Sequence, residues 1–239
     1  MRRNMKKLYR ICGLPVECDF RFPVMTARAE KYLCDSGEPP AISIGYSEER
    51  MKSLKLAEPS LTADDCEIIY TAREFYFSLL RFGGFMLHAS AVAMDGEGFL
   101  FSAPSGTGKS THTGLWRERF GCRAQIINDD KPAIMVSGEE ITVCGTPWSG
   151  KSDLNLNMRV PLRGICVQER SQTNFIEPLP PEKSVYCLLD QTIRPLDGEL
   201  MGRLLELLDA VAAKIPLWCM GCNISPEAAE MAYKAMSGK

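Results

Sequence analysis

The spacing of apolar positions changes several times along this chain, and each change marks an expected element. Short alternating runs come first. Lys7 to Cys12 and Glu17 to Phe22 flank Gly13-Leu14-Pro15, and Ala41 to Tyr46 follows Pro39-Pro40. Runs this short, bounded by turn residues, predict strands and hence a small β-rich N-terminal layer. The spacing then becomes helical: Ile68, Ile69, Ala72, Phe75, Tyr76, Leu79 and Leu80 share a broad apolar face between a capping sequence at Thr62-Ala-Asp-Asp and a stop at Gly83-Gly84. This helix is expected to join the layer, residues 1–84, to a core of residues 85–239.

The core reads as strands interleaved with helices. Met86 to Ala93 and Gly98 to Ser102 are linked by the turn Asp95-Gly96, and Ala124 to Ile127 runs directly into Asp129-Asp130. Pro132 to Val136 and Glu140 to Cys144 form an expected hairpin across Ser137-Gly138, and Leu162 to Gln168 is a further strand. Helical spacing covers Ser110 to Phe120 (Thr113, Trp116, Phe120), Pro181 to Ile193 and Glu199 to Lys214, and a strand follows at Ile215 to Cys219. Ser225-Pro226-Glu227 opens the last helix with serine as N-cap, proline at the first helical position and an acid in the first turn. The fold class is therefore α/β. The hairpins among the strands make its sheet mixed, not wholly parallel.

Composition narrows the function. A hydrophobic content of 45% and a charged content of 24% suit a folded globular chain, not a disordered one. A net charge of −2 leaves no diffuse basic field for nucleic acid. The basic start, Met1 to Lys7, is followed by Leu8-Tyr9-Arg10-Ile11-Cys12, where an arginine interrupts any secretory apolar core, and no run approaches the roughly 18 apolar residues of a membrane span. Ten cysteines spread from Cys12 to Cys222 fit reduced thiols in a cytoplasmic protein better than a disulfide framework. Cys219-Met-Gly-Cys222 supplies half of a zinc site at best, and two small apolar residues at a strand end explain it equally well.

The chemistry concentrates at Ala103-Pro-Ser-Gly-Thr-Gly-Lys-Ser-Thr111, between an apolar strand and a helix. Ser105, Gly106, Thr107, Gly108, Lys109, Ser110 and Thr111 read as a phosphate-binding loop. Its glycines let backbone N–H groups surround an anion, Lys109, taken as an exposed loop lysine, reaches the β- and γ-phosphates, and Ser110 holds Mg²⁺. Ala103 stands where the usual pattern has its first glycine. The ligands expected are therefore ATP and Mg²⁺. Asp129 and Asp130, at a strand end, suit division of labour between a base and a metal ligand, although Asn128 to Pro132 also reads as a polar turn. His88 is either a functional neighbour of the loop or a core histidine; His112 reads as a packing or solvent-facing residue. Gly145-Thr-Pro-Trp-Ser-Gly-Lys151 is either a surface turn around a buried Trp148 or a lid whose Lys151 or Ser149 meets the transferred phosphate.

Together, His88-Ala-Ser-Ala, Asp95-Gly96, Ser105-Gly-Thr-Gly-Lys-Ser and Asp129-Asp130 resemble the HPr kinase/phosphorylase and phosphoenolpyruvate carboxykinase superfamily, and the chain looks like one of its short bacterial members. The resemblance covers residues 86 to about 168 and includes Leu162-Arg163-Gly164-Ile165, a degenerate form of the Arg-Gly strand signature. It implies Asp129 as base on a serine hydroxyl, Asp130 and Ser110 as metal ligands, Lys109 on the phosphates and His88 beside the transferred group. Pro161-Leu162 replaces the acid that HPr kinases carry before that signature, and the first 85 residues do not resemble their regulatory domain. The chain is too short for a carboxykinase.

The leading expectation is an ATP-dependent kinase acting on a serine of a peptide or small protein. A small-metabolite kinase acting on a free serine-like compound is the alternative, and a nucleotide-binding regulatory protein without turnover is a third. Neither nucleic acid nor membrane is an expected partner, and assembly into a homo-oligomer is left open.

Overall fold

A computed structural model describes residues 6–238, so most of the basic start, Met1 to Met5, lies outside the described residues. β1 (Lys7–Ile11) and β2 (Leu14–Cys18) form a hairpin closed by Cys12 and Gly13, with φ of 56° and 82°. A two-residue turn with both φ positive matches the twist of its strands. The second strand therefore starts at Leu14, ahead of the expected Glu17. β3 (Ile42–Ile44) pairs parallel with β2. Two helices escape the hydrophobic pattern: α1 (Pro23–Ala29) buries only Met25 and Ala29, and α2 (Glu48–Ala57) only Met51. α3 (Ala63–Leu79) has the expected start, with Thr62 Oγ1 accepting from Asp65 N at 3.1 Å and the Asp65 carboxylate accepting from Thr62 N at 2.8 Å.

The remaining strands are β4 (Gly84–Met86), β5 (Ala89–Met94), β6 (Glu97–Ser102), β7 (Ala124–Asp130), β8 (Ala133–Ser137), β9 (Glu140–Cys144), β10 (Arg159–Arg170), β11 (Phe175–Pro178) and β12 (Leu217–Cys222). The helices among them are α4 (Lys109–Phe120), α5 (Pro181–Asp190), α6 (Gly198–Lys214) and α7 (Pro226–Ser237). Among the described residues these nine strands form one mixed sheet, ordered β4-β8-β9-β10-β6-β5-β7, with β12 on β10 and β11 on β12. β10 serves two wings. Its start pairs antiparallel with β9, and the rest runs parallel to β6 and β12. The strand expected from Met86 to Ala93 is in fact two. The chain changes partner at Leu87-His88, where Leu87 N donates to Pro132 O and His88 N donates to Gln191 O at 2.6 Å, leaving β4 on β8 and β5 between β6 and β7.

Three apolar layers hold this sheet. One face packs Phe99, Phe101 and Met220 against Trp116 of α4 and the alanines of α7, and the opposite face packs Leu100, Ile127 and Ile165 against Leu204, Leu208 and Val211 of α6. The N-terminal layer shares a third cluster with the sheet: Ile11, Val16, Met25 and Tyr32 meet Phe75 of α3 and also Met86, Met135, Cys144 and Trp148. The last helix starts at Pro226 as expected, but Ser225 makes no side-chain cap; its Oγ accepts instead from Asn174 Nδ2 at 3.1 Å.

Candidate functional site

The register of three adjacent strands gathers the chemistry. Ala89 lies opposite Ser102 on β6 and opposite Asp130 on β7. The glycine loop leaving Ser102, the histidine before Ala89 and the acid pair ending β7 consequently share one end of the sheet. On the other side of β6, Val167 of β10 lies level with Ser102, which brings Arg170 to the same end.

β6, the loop and α4 have the expected strand–loop–helix order. Gly106 and Gly108 have φ of 80° and 124°, values that favour glycine, and a Cβ at either would meet nothing within 4 Å, so the loop's concavity is open. Ser105, Gly106, Ser110 and Thr111 are exposed, and Thr107 and Gly108 half-buried. Lys109 departs from expectation: it is 8% exposed and folded into the loop, donating from Nζ to Ala103 O at 2.8 Å. Burial lowers its pKa, opposed by the charges of Asp130 and Asp129. Arg170 was not singled out in the sequence. It closes the outside of the loop, donating to Gly106 O at 2.6 Å and Thr107 O at 3.2 Å, and a groove of about 420 Å³ opens between Pro104–Thr107 and Gln168–Arg170. A larger groove of about 840 Å³, between α4 and the edge of β7, holds none of the predicted groups.

The two aspartates have different surroundings. Asp129 is 3% exposed; its Oδ2 accepts from Ser152 Oγ at 2.5 Å, whereas Oδ1 is buried without a hydrogen-bond partner. Asp130 is half-buried and faces His88 Nε2 at 3.3 Å and Lys131 Nζ. Burial raises the Asp130 pKa, but the hydrogen bond to His88 and the neighbouring Lys131 charge outweigh it and pull the value down to about 2, so the group is an anion at neutral pH. Its φ of 142° is rare for a residue with a side chain, a strain of about 1–3 kcal/mol that surrounding structure must hold. That structure is a buried polar network: Asn128 Oδ1 accepts from Lys131 N at 2.8 Å, and Lys131 O accepts from Tyr76 Oη at 2.5 Å and Thr146 Oγ1 at 2.9 Å.

The Gly145–Lys151 loop lies on the acid pair. Gly150 N donates to Asp129 O at 2.7 Å, and a Cβ on Gly150 would stand 2.8 Å from that oxygen. Lys151 is exposed, between two residues that both bond Asp129. Trp148 is not the ring of a lid. It is fully buried, stacked on Phe75 at 4.6 Å between centroids, and its Nε1 donates to Thr71 Oγ1 at 3.0 Å. An indole packed into an aromatic cluster and hydrogen-bonded has no reason to leave it. His112 is a packing residue, 2% exposed against Phe101, accepting from Trp116 Nε1, and burial lowers its pKa to about 4. Arg163, considered in the sequence beside the Arg-Gly signature, bonds Ser237 O. The ten cysteines are free, with Cys219 and Cys222 both in β12, and no cluster of three metal-ligating side chains occurs among the described residues. No helix among them is long and apolar enough to cross a membrane.

Four residues of the site carry no signal in the sequence: Arg28, whose guanidinium donates to Ser149 O and Gly150 O of the loop, and Tyr76, Ser152 and Arg170. Arg28, Tyr76 and Arg170 reach the site from distant elements, and none of the four lies in a motif. Only Ser152, one residue beyond the second loop, had a signal close by.

No protein-family model and no curated protein matches the sequence. Among solved structures, the chain is similar to the Hpr(Ser) kinase/phosphatase from Coxiella burnetii, at 13% identity over 64% of this chain and 97% of that one, with a TM-score of 0.37.

Proposed function

We propose that the protein is an ATP-dependent phosphotransferase that moves the γ-phosphoryl group to a hydroxyl, a serine of a peptide or small protein. The observation that supports this reading is the alignment of Ser102, Ala89 and Asp130, which sets an open glycine loop, a buried lysine, an acid pair and a histidine at one sheet end. The backbone of Ser105 to Thr111 would receive the phosphates, and Lys109 Nζ would exchange its contact with Ala103 O for a phosphate oxygen.

Mg²⁺ typically takes one or two protein oxygens and completes its shell with phosphates and water, so a site with few carboxylates fits it. Ser110 and Asp130 would hold it, and the ion would neutralise charge on the β- and γ-phosphates. Asp130 is anionic at neutral pH and suits that task; binding requires it to release His88 or Lys131. Asp129 suits the other. Its Oδ1, buried without a partner, would accept the proton of an acceptor hydroxyl once that hydroxyl is admitted beside it, while the hydroxyl oxygen bonds to phosphorus and ADP departs with the bridging electron pair. Ser152 fixes the second oxygen and so the direction of the first.

The test is transfer from labelled ATP with Mg²⁺ to serine peptides, HPr and free amino acids. Asp129→Asn should bind Mg-ATP and turn over about 10²–10⁴-fold more slowly. Asp130→Asn should weaken dependence on the metal. Labelling of free serine in preference to peptides would move the acceptor to the small metabolites. No labelled product from any acceptor, or equal and trivial effects of both variants, would defeat the proposal.

A further inference from the structure

The N-terminal layer grips the loop that lies on the acid pair through the side chain of Arg28. Arg28, near the end of α1, is a half-buried guanidinium that meets the loop over Asp129. Nη1 donates to Ser149 O at 2.9 Å and Nη2 to Gly150 O at 3.0 Å, and the guanidinium forms an ion pair with the Asp153 carboxylate, 2.8 Å from Nε, although the Nε–H itself is not aligned for a hydrogen bond. The loop passes this hold directly to the acid: Gly150 N donates to Asp129 O at 2.7 Å and Ser152 Oγ to Asp129 Oδ2 at 2.5 Å. The following residues are tied in the same way. Asp129 N donates to Leu154 O and Leu156 N to Ile127 O, both at 2.9 Å, while Lys31 Nζ and Tyr32 Oη from the N-terminal layer hold Asn155.

The other end of α1 is fixed too. The buried Glu67 carboxylate accepts from Arg21 N at 2.7 Å and Phe22 N at 3.1 Å, and Asp64 Oδ1 accepts from Val24 N at 3.1 Å. α1 therefore bridges α3 and the loop. A planar fork can meet two carbonyls and a carboxylate together, which a lysine ammonium does less well.

We infer that Arg28 is a positioning residue for the phosphoryl-acceptor side of the site: it holds Ser149–Asp153 in the one arrangement that keeps Gly150 and Ser152 on Asp129. The N-terminal layer is thus a working part of that site. This inference rests on the reading of Asp129 as the base, and its test separates the two.

Hydrogen exchange and kinetics are measured on the full chain, with Mg-ATP and the best serine acceptor, for wild type, Arg28→Ala, Arg28→Lys and Arg10→Ala. Arg10 belongs to the same layer but bonds Glu38 and Gly13 O away from the loop, so its variant should behave as wild type. In Arg28→Ala the amides of Gly150, Asp153, Leu156 and Asp129 should exchange faster while those of β5 and β6 do not, and kcat should fall about 10–100-fold with little change in the KM for ATP. Arg28→Lys should recover part of kcat. If Arg28→Ala does not fold, Asp153→Asn removes the carboxylate from the exposed side, at a φ of 54° that asparagine accepts, and should act in the same direction with smaller size. Unchanged exchange in 149–156, or faster exchange at full kcat, overturns the inference. A wild type without turnover defeats the phosphotransfer reading instead, and the exchange measurement alone then decides whether Arg28 holds the loop.

Discussion

Replacing Gly150 by alanine is the smallest change that should disturb the acid pair from outside. The added Cβ would stand 2.8 Å from Asp129 O, 3.1 Å from Asp130 Cβ and 3.6 Å from Asp130 Cγ, whereas ordinary contact begins at 3.4 Å. The first obstacle is backbone and cannot rotate away, so loop and strand must separate by about 0.6 Å. That movement stretches the 2.7 Å bond from Gly150 N to Asp129 O and shifts Ser152, the partner of the Asp129 carboxylate. Overpacking of this size costs about 1–3 kcal/mol, and in a chain of this length each kcal/mol lowers Tm by about 2–4 °C. A base displaced by more than half an ångström should lose about tenfold or more in kcat, since 1 Å can cost ~10². Thermal denaturation and steady-state transfer measure the two effects, with Gly202→Ala as control. Gly202 lies in α6 with nothing within 4 Å of the added methyl, and its alanine variant should gain about 0.5–1 kcal/mol. A Gly150→Ala protein with wild-type Tm and kcat would refute the close seating of the loop on the acids.

Lys109→Ala should lower transfer by about 10²–10³ and, because the ammonium bonds Ala103 O from a buried position, also cost about 1 kcal/mol of stability; near-normal turnover in a single-turnover assay would remove the lysine from the mechanism. The Asp130 pKa is depressed from 3.8 to about 2, so its contribution of about 2 kcal/mol is present above the unfolded value and lost as pH falls through about 2. Denaturation midpoints measured across that window should fall more steeply for wild type than for Asp130→Asn, and parallel curves would contradict the assignment. Trp148→Ala should destabilise by about 3–5 kcal/mol in denaturant titration, and a Trp148→Phe protein should keep any fluorescence response to nucleotide, which otherwise would have to arise from the buried indole.

Local chemistry was legible in the sequence wherever a few consecutive residues suffice. The order of strand, glycine loop and helix at residues 97–120 follows from an apolar run, two glycines and helical spacing, and the start of α3 follows from Thr62 and Asp65 alone. The hairpins at Asp95-Gly96 and Ser137-Gly138, and with them the mixed sheet, were legible for the same reason. α1 and α2 were not, because each buries too few residues to leave a period.

Long-range placement was decided only by the tertiary structure. Nothing in Met86 to Ala93 announces that the chain changes partner at Leu87-His88, since the change is made by hydrogen bonds to Pro132 and Gln191; yet that break frees His88 to face Asp130. Trp148 carries the same letter in a lid or a core, and Phe75 and Thr71 make it core. Arg28 lies 101 positions before Asp129 in the chain, so its hold on that acid exists only once α1 docks against the loop. Sequence spacing fixes what neighbours can do together. Pairing and packing decide which distant groups become neighbours, because those contacts depend on the placement of whole elements.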